Sequence, residues 1–519
     1  MKDGVLQEHI EFERYNRIKA SGGDSLDRLI KNGINIDDVD HWVSVSPNFN
    51  LERGGKDTFN THDKVPKVKF SFYSHHLCHA AHAFYSSNFE DSIVLTLDMA
   101  GLDYDGSEWS TCVYHGKDTK IKKLFGVGSN QMSLGNLWSK CTRFIFKLSA
   151  GYPRGSQAGS VMALAAFGDP EKYYSDFKKM ITDDFRHIVI PPPGMVRGKH
   201  VPPEEDVIHP YLNKYRKIAE SSEQEKFNLA ASLQKVTEEI VYQVIDSTLA
   251  HCKENNISFE NSVMTGKLVK KYEGVIKKFY VPPVPYDGGL NIGACQYHWH
   301  HVLGKERDYQ MFVSPYLGET YSEKKIIDAI ESRKDKINFK TASIESIVEL
   351  LKQDKIISIF QGRSESGRRA LGNRSILASP INPKMKDFIN DKVKHRQWYR
   401  PFAPSVLHEE ALEWFENYFL SPYMGFVFKI KDEKLGLAPA IEHKDGTARI
   451  QSVTNSINPK YHELISLFYK ETGIPMLLNT SFNDREPIVE TPDDALNCYL
   501  KTNIDYLYFA DCNVLVERA

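Results

Sequence analysis

The sequence predicts an α/β protein of two or three domains, and three observations lead there. At 519 residues the chain is too long for one hydrophobic core to be the expectation. The run DSIVLTLD, Asp91 to Asp98, has the β-branched apolar character of a buried strand and ends on a carboxylate. Helical and strand patterns then alternate, as in IVELLKQDKIISIFQGR, where an amphipathic helix runs into a strand.

Bulk composition narrows the class further. With 41% apolar and 26% charged residues the chain reads as an ordinary soluble protein. It has no run of about eighteen apolar residues and no basic-then-apolar leader, which leads to the expectation of a cytoplasmic protein that meets no membrane. The seven cysteines are dispersed, odd in number and without a CxxC pair, as reduced thiols would be. A net charge of −2 gives no steering toward nucleic acid, so only local charge can argue for an anionic ligand.

Taken in order, Asp3-Gly4 predicts a hairpin turn feeding a strand. Lys69 to Tyr73 is a short strand, Ser74 a candidate N-cap and His75 to Tyr85 an alanine-rich helix. After the strand Asp91 to Asp98, Gly101 to Glu108 reads as a loop and Trp109 to Tyr114 as the next strand. Gly151 to Gly168 reads as a Gly/Ser loop delivering a small-residue helix. The Pro-rich span HIVIPPPGMVRGKHVPPEED is expected to be a lid or an excursion between subdomains. Ser222 with Glu225 forms a capping-box pattern, and Phe227, Ala230, Leu233, Val236, Ile240 and Val244 then follow at helical spacing, predicting a long helix. Asp287-Gly288-Gly289 is a turn before another small-residue helix. Tyr316 to about Lys340 reads as a polar, mostly helical connector, placing the domain boundary at 340/341. Beyond it, strands are expected at Met424 to Lys431, Met476 to Asn479 and Leu507 to Phe509, with a helix from Thr491 to Lys501 that Thr491 caps and that has Pro492 at its first position.

Two constellations could carry chemistry. Between Lys355 and Arg400 stand eleven Lys or Arg against three acids, interleaved with Gly, Ser and Asn. Guanidinium forks and backbone N–H groups arranged this way grip polyphosphate or acyl phosphate, although a basic surface without a ligand fits the composition as well. His75 and His79, four apart on a helix, share one face and can bind one metal, with Asp98 and Asp287 as further oxygen donors. An HxxxH pair alone reads equally as two surface or core histidines.

Four motifs in order, GRSESGRRALGNRS, RPFAPSV (Arg400 to Val406), HKDGTAR (His443 to Arg449) and LLNTSFN (Leu477 to Asn483), make the sequence resemble the O-carbamoyltransferases of nodulation-factor and antibiotic biosynthesis. The resemblance extends less evenly to residue 2. It implies a duplicated actin-type, ribonuclease H-like α/β domain at 1–340, related to the tRNA-threonylcarbamoyl transferases, and a YrdC-like α/β domain at 341–519. It further implies that ATP and carbamoyl phosphate give a carbamoyl adenylate in the second domain, whose carbamoyl group passes at the first to a hydroxyl of a small molecule. By resemblance, Arg369, Lys394, Arg400 and Arg449 contact nucleotide and carbamoyl phosphate, Arg363, Arg374, Asn479, Ser481 and Asn483 belong to the same motifs, and His75, His79, Asp98 and Asp287 hold a divalent metal. Iron is the family's ion, and a mixed imidazole and carboxylate shell also suits manganese or zinc. His76 and His82 are expected to pack or to support ligands.

The chain departs from the family in several places. Gly367-Arg368-Arg369 stands where Gly-Pro-Arg is usual, Ala158-Gly159-Ser160 where Glu-Gly-Lys is, Thr265-Gly266-Lys267 where a longer glycine segment is, and Asp484-Arg485-Glu486 follows SFN without the usual glycine. The family's first strand, with its His-Asp pair, would precede Met1, and one edge of the first sheet is expected to be unpaired or rebuilt. Two alternatives stay open: an adenylate-forming enzyme with an amine or protein-bound acceptor, and a non-catalytic scaffold paralogue. A homodimer or pairing with a paralogue is compatible with either.

Overall fold

The computed structural model describes residues 1–19, 26–45, 70–103, 106–148, 157–189, 208–254, 261–262, 266–309 and 313–519. Asp3 and Gly4 have φ of 47° and 83°, and a bridge pairs Lys2 with Val5, so the predicted turn forms. The strand expected after it does not. Residues 6–11 find no ladder partner; the His9 N–H bonds to Leu317 O at 2.9 Å, and the segment enters a short helix, α1 (Phe12–Asn16).

Two short strands, β1 (Trp42–Val45) and β2 (Phe70–Tyr73), pair in parallel. The next helix, α2 (His75–Ser86), starts after Ser74, whose hydroxyl makes no capping bond. An antiparallel sheet follows in the order β3 (Asp91–Leu102), β4 (Glu108–Lys117), β5 (Lys120–Gly128). Strand β3 continues past Asp98 into the region expected to be loop, because a bulge shifts its register with β4 between Leu97 and Gly101. The sequence reading did not anticipate β5: in KIKKLFGVG only Ile121 is buried, so it lacks the apolar run of an interior strand.

A helical layer comes next: α3 (Leu134–Phe144), α4 (Ala158–Leu164), α5 (Tyr174–Thr182), α6 (Asn213–Ser221) and α7 (Glu223–Glu254). The long helix is the 32-residue α7. Its first half buries Leu229, Leu233, Val236 and Ile240 in a core shared with α3 to α6, and its second half sends Val241 and Ile245 into the larger core containing Ile93 and Leu95 of β3. Half of the expected capping box forms. Ser222 Oγ accepts the Glu225 N–H at 3.2 Å, whereas the Glu225 carboxylate accepts from Lys172 and the Tyr173 hydroxyl. Most of the expected lid, 190–206, lies outside the described residues, as does Thr265.

The parallel pair β6 (Asn261–Ser262) and β7 (Lys278–Phe279) leads to a one-turn 3-10 helix, Asp287–Gly289, and then α8 (Leu290–Gln296). Helix α8 packs on α2 so closely that a Cβ on Gly293 would lie 1.8 Å from the Cys78 carbonyl oxygen. Backbone cannot yield as a side chain does. Gly293→Ala is therefore expected to force the helices apart and lower stability by about 1–3 kcal/mol, read as a lower thermal midpoint; an unchanged midpoint would contradict the close crossing.

The C-terminal part is built on an eight-stranded mixed sheet in the order β14-β11-β15-β10-β9-β16-β17-β8. In chain order its elements are α9 (Glu323–Glu331), β8 (Ile337–Thr341), α10 (Ile344–Lys352), β9 (Ile357–Phe360), β10 (Arg374–Ala378), β11 (Ala403–Leu407), β12 (Val427–Lys429), β13 (Thr447–Arg449), β14 (Gln451–Val453), α11 (Pro459–Thr472), β15 (Met476–Ser481), α12 (Pro492–Lys501), β16 (Tyr506–Phe509) and β17 (Val514–Arg518). The supposed connector is corrected here. Residues 337–341 form the edge strand β8, antiparallel to β17, so the expected boundary at 340/341 falls inside a strand of this sheet. Strand β12, paired with β13 outside the main sheet, is shorter than expected because Met424 has φ of +54° and cannot continue a ladder. Helix α12 has the cap read from sequence: Thr491 Oγ1 accepts the Asp494 N–H, and the Asp494 carboxylate accepts the Thr491 N–H, both at 3.0 Å. Among the described residues no helix is long and apolar enough to cross a membrane.

Candidate active site

Three elements bring four ligand-type side chains together. His75 opens α2 and His79 follows one turn later on the same face; Asp98 sits at the bulge of β3; Asp287 begins the turn into α8. His75 Nε2 lies 2.7 Å from Asp98 Oδ2 and 3.7 Å from Asp287 Oδ1, while His79 Nε2 lies 3.6 and 3.5 Å from the same two atoms. The two imidazole nitrogens are 3.1 Å apart, and all four ligand atoms fall within 4.8 Å of one another. Burial opposes charge on His79, but hydrogen bonds to Asp287 and Asp98 outweigh it and raise its pKa to about 9. Burial likewise opposes charge on Asp98, yet the His75 and His79 contacts hold it below the usual carboxylate range. Two imidazoles and two carboxylates converging on one point fit a divalent transition metal. His76, one residue along the helix, turns the other way. It is fully buried, 2.8 Å from both Thr96 Oγ1 and Trp109 O, and burial pushes its pKa down to about 4.

Metal content checks this set directly. Protein purified without chelator is expected to carry close to one equivalent of iron, manganese or zinc, and His79→Ala to lower that sharply in elemental analysis. Unchanged occupancy would place the ligands elsewhere.

The second constellation gathers around the loop Gly362–Asn373 and the segments that flank it. Arg369 lies on that loop, Arg400 precedes β11, Arg449 ends β13 and Lys394 follows a π-turn, Ile389–Val393. Among the described residues none of the Arg369, Arg400 or Arg449 guanidinium groups has a carboxylate partner or a hydrogen bond to protein. They repel one another instead. Arg369 foremost, then burial, then Arg396 and Arg400 push the Arg449 pKa well below its ordinary value. Burial, and after it Arg368 and Arg400, lower Arg369, although its side chain reaches solvent. Cations held together without counter-charge form a ready site for a multiply charged anion.

Lys394 is nearly fully buried, its ammonium donating to Ser481 O at 2.8 Å and to Asn483 O and Oδ1 at 2.6 Å each. Burial and the neighbouring Arg396 pull its pKa far down. Ser481 and Asn483 thus serve Lys394. The structure gives three other sequence candidates different partners. The Arg363 guanidinium donates to Gly318 O at 2.7 Å and Leu317 O at 2.8 Å. Arg374 is wholly buried, donates to Gln361 O at 2.6 Å, and stacks 3.6 Å over Phe360. Asn479 holds the cluster loop from beneath, through Ala370 O at 3.1 Å and Ser405 Oγ at 2.8 Å. Residues missed in the sequence also stand here. Arg396, with a pKa lowered to about 9 by burial and Arg400, belongs to the cluster, and the +8 run that contains it was the available signal. Glu365 Oε1 accepts the N–H groups of Leu371, Asn373 and Arg374 at 2.7–3.0 Å, shaping the arginine loop, and nothing in its spacing announced that.

Fold and sites together define an α/β enzyme with a cationic cradle beside a His–Asp centre. Family models bear on which: "Carbamoyltransferase N-terminus" matches residues 15–296 and "Carbamoyltransferase C-terminus" residues 348–516. The chain is 33% identical to nodulation protein NolNO of Sinorhizobium fredii, over 98% of this chain and 77% of that one. It is 33% identical to nodulation protein NolO of Bradyrhizobium diazoefficiens, over 84% and 77%, and 27% identical to the uncharacterized protein MJ1051 of Methanocaldococcus jannaschii, over 98% and 94%. The crystal structure of T. kodakarensis HypF gives a TM-score of 0.27 at 14% identity, over 51% of this chain and 41% of that one, a likeness that carries no argument. The chain belongs to the carbamoyltransferase family and is a carbamoyltransferase.

Proposed function

We propose that this carbamoyltransferase is ATP-dependent and carbamoylates a hydroxyl of a small-molecule acceptor by way of carbamoyl adenylate. The observation that supports this most is the guanidinium cluster without counter-charge. A reaction that brings ATP and carbamoyl phosphate together meets strong repulsion between phosphates, and Arg369, Arg396, Arg400 and Arg449 supply fixed charge against it. Atom balance sets the order of bonds. Water releases phosphate from carbamoyl phosphate, leaving carbamate; a carbamate oxygen attacks the α-phosphorus of ATP and expels pyrophosphate; the acceptor oxygen then attacks the carbamoyl carbon, AMP leaves, and the hydroxyl proton passes to a base. In this reading the YrdC-like C-terminal domain forms the adenylate and a duplicated actin-type, ribonuclease H-like N-terminal domain completes the transfer. A divalent ion held by His75, His79, Asp98 and Asp287 would polarise the carbamoyl carbonyl or acidify the acceptor hydroxyl. The acceptor class follows the resemblance of the sequence motifs to the O-carbamoyltransferases of nodulation-factor and antibiotic biosynthesis.

The test supplies ATP and labelled carbamoyl phosphate with a panel of hydroxylated acceptors. Pyrophosphate is expected only when both co-substrates are present, with label appearing as an alkali-labile carbamate ester on one acceptor. Pyrophosphate release independent of carbamoyl phosphate would overturn the reading.

A further inference from the structure

The segment before and within α1 touches both centres, and it does so through a buried charge network that neither centre requires for its own ligands. One carboxylate oxygen of Glu11 accepts from the Tyr286 hydroxyl, and the other accepts the Gly367 N–H at 2.9 Å. The Arg14 guanidinium donates to Gly367 O at 2.7 Å, and it stands 3.4 Å from Glu11 and 3.5 Å from Glu490. Glu490 in turn accepts from Ser364 at 2.8 Å. Both backbone polar groups of Gly367 are therefore held by residues more than 350 positions earlier in the chain. With φ of +94°, Gly367 turns the loop so that Arg368 lies 4.4 Å over the Tyr286 ring. Tyr286 immediately precedes Asp287, and His9 Nε2 bonds to Gly288 O at 2.8 Å on the far side of that turn. One carboxylate thus grips the middle of the arginine loop and the start of the metal-ligand turn.

Resting on the adenylate reading above, we propose that Glu11 is a positioning residue that ties the arginine loop to the Tyr286–Asp287 turn, fixing the path along which the activated carbamoyl group passes between centres. It touches neither co-substrate. A carboxylate buried at this junction is satisfied three ways, by a hydroxyl, an amide and a guanidinium, so changing its charge or one partner loosens a specific connection. Misplacement of about 1 Å at a reacting pair can cost roughly a hundredfold in rate. Carbamoyl adenylate that is not delivered is lost to water as carbamate, which breaks down to ammonia and carbon dioxide.

The test uses the full chain with Glu11→Gln and the milder Tyr286→Phe, which keeps the Gly367 contacts and the stacked ring. In ligand-free hydrogen exchange, Glu11→Gln is expected to speed exchange about tenfold in both 283–290 and 364–372, and Tyr286→Phe in 283–290 alone. With ATP, carbamoyl phosphate and an accepted hydroxyl compound, both variants are expected to release pyrophosphate within about threefold of the parent, while carbamoylated product per pyrophosphate falls about tenfold or more and ammonia rises to match. A purely structural contact would leave that ratio at the parent value. Exchange unchanged in either segment of Glu11→Gln, or a parent-like ratio in folded Tyr286→Phe, would overturn the proposal. If the parent itself releases no pyrophosphate, the adenylate reading falls, and with it the delivery role assigned to Glu11, whatever the exchange shows.

Discussion

Arg400→Ala is expected to slow pyrophosphate release about a hundredfold, a loss of roughly 3 kcal/mol of transition-state stabilisation, without disturbing the fold. Its guanidinium makes no bond to protein among the described residues; only its backbone is used, the carbonyl accepting from Asn390 Nδ2 at 3.0 Å and the N–H donating to Gln397 O at 3.2 Å. The charge also contributes to the depressed pKa values of Arg369, Arg396 and Arg449. Removing it relieves repulsion in the ligand-free protein, so the thermal midpoint should hold or rise. That combination separates a catalytic loss from a folding loss. Near-parental pyrophosphate release by a folded variant would show that the cluster does not serve the adenylate step.

The His75→Ala, His79→Ala double variant should divide the reaction at its middle. Pyrophosphate should still form when ATP and carbamoyl phosphate are supplied, and transfer to every acceptor the parent uses should fall below detection. The reason is spatial. All four ligand-type side chains come from residues 75–287, whereas Arg369, Lys394, Arg400 and Arg449 come from 369–449, and the two sets meet through Arg368 and Tyr286. Loss of the imidazoles leaves Asp98 and Asp287 without two cationic or metal-bridged neighbours, so some loss of stability is expected as well. Circular dichroism and a thermal melt must therefore accompany the assays. Simultaneous loss of both half-reactions in a folded protein would place them at one centre.

Much of this was legible in the sequence, for identifiable reasons. Strand β3, helix α2 and the 3-10 turn at Asp287 were found because apolar runs, helical spacing and an Asp-Gly-Gly turn are local signals. The same holds for the Thr491 cap. What failed depended on partners distant in the chain. Strand β8 looks like a polar linker because four of its five residues face solvent, and only pairing with β17 makes it a strand. The segment 6–11 follows a hairpin-type turn, which is why a strand was expected, yet its bonds go to Leu317, Gly288 and Gly367. The motif residues divide on the same principle. Composition marks the segment 362–374 as cationic, but only tertiary contacts show that Arg363 and Arg374 are consumed by carbonyl oxygens while the Arg369 guanidinium has no such partner among the described residues. The metal-type quartet needed the resemblance, since HxxxH with two remote aspartates has no local grammar.

The pairing of β8 with β17 bears on how this chain can be dissected. Five residues, Val514 to Arg518, bond along their length to β8, and α9 just before it packs on α12. A fragment started at residue 341 would strip the rim from the sheet, leaving a row of bare amide and carbonyl groups that invites intermolecular stacking. A fragment started ahead of Ser322, the N-cap of α9, keeps that rim covered. The working seam for expressing the C-terminal half alone therefore lies about twenty residues upstream of where the sequence pattern would cut, a length that α9 and β8 themselves set.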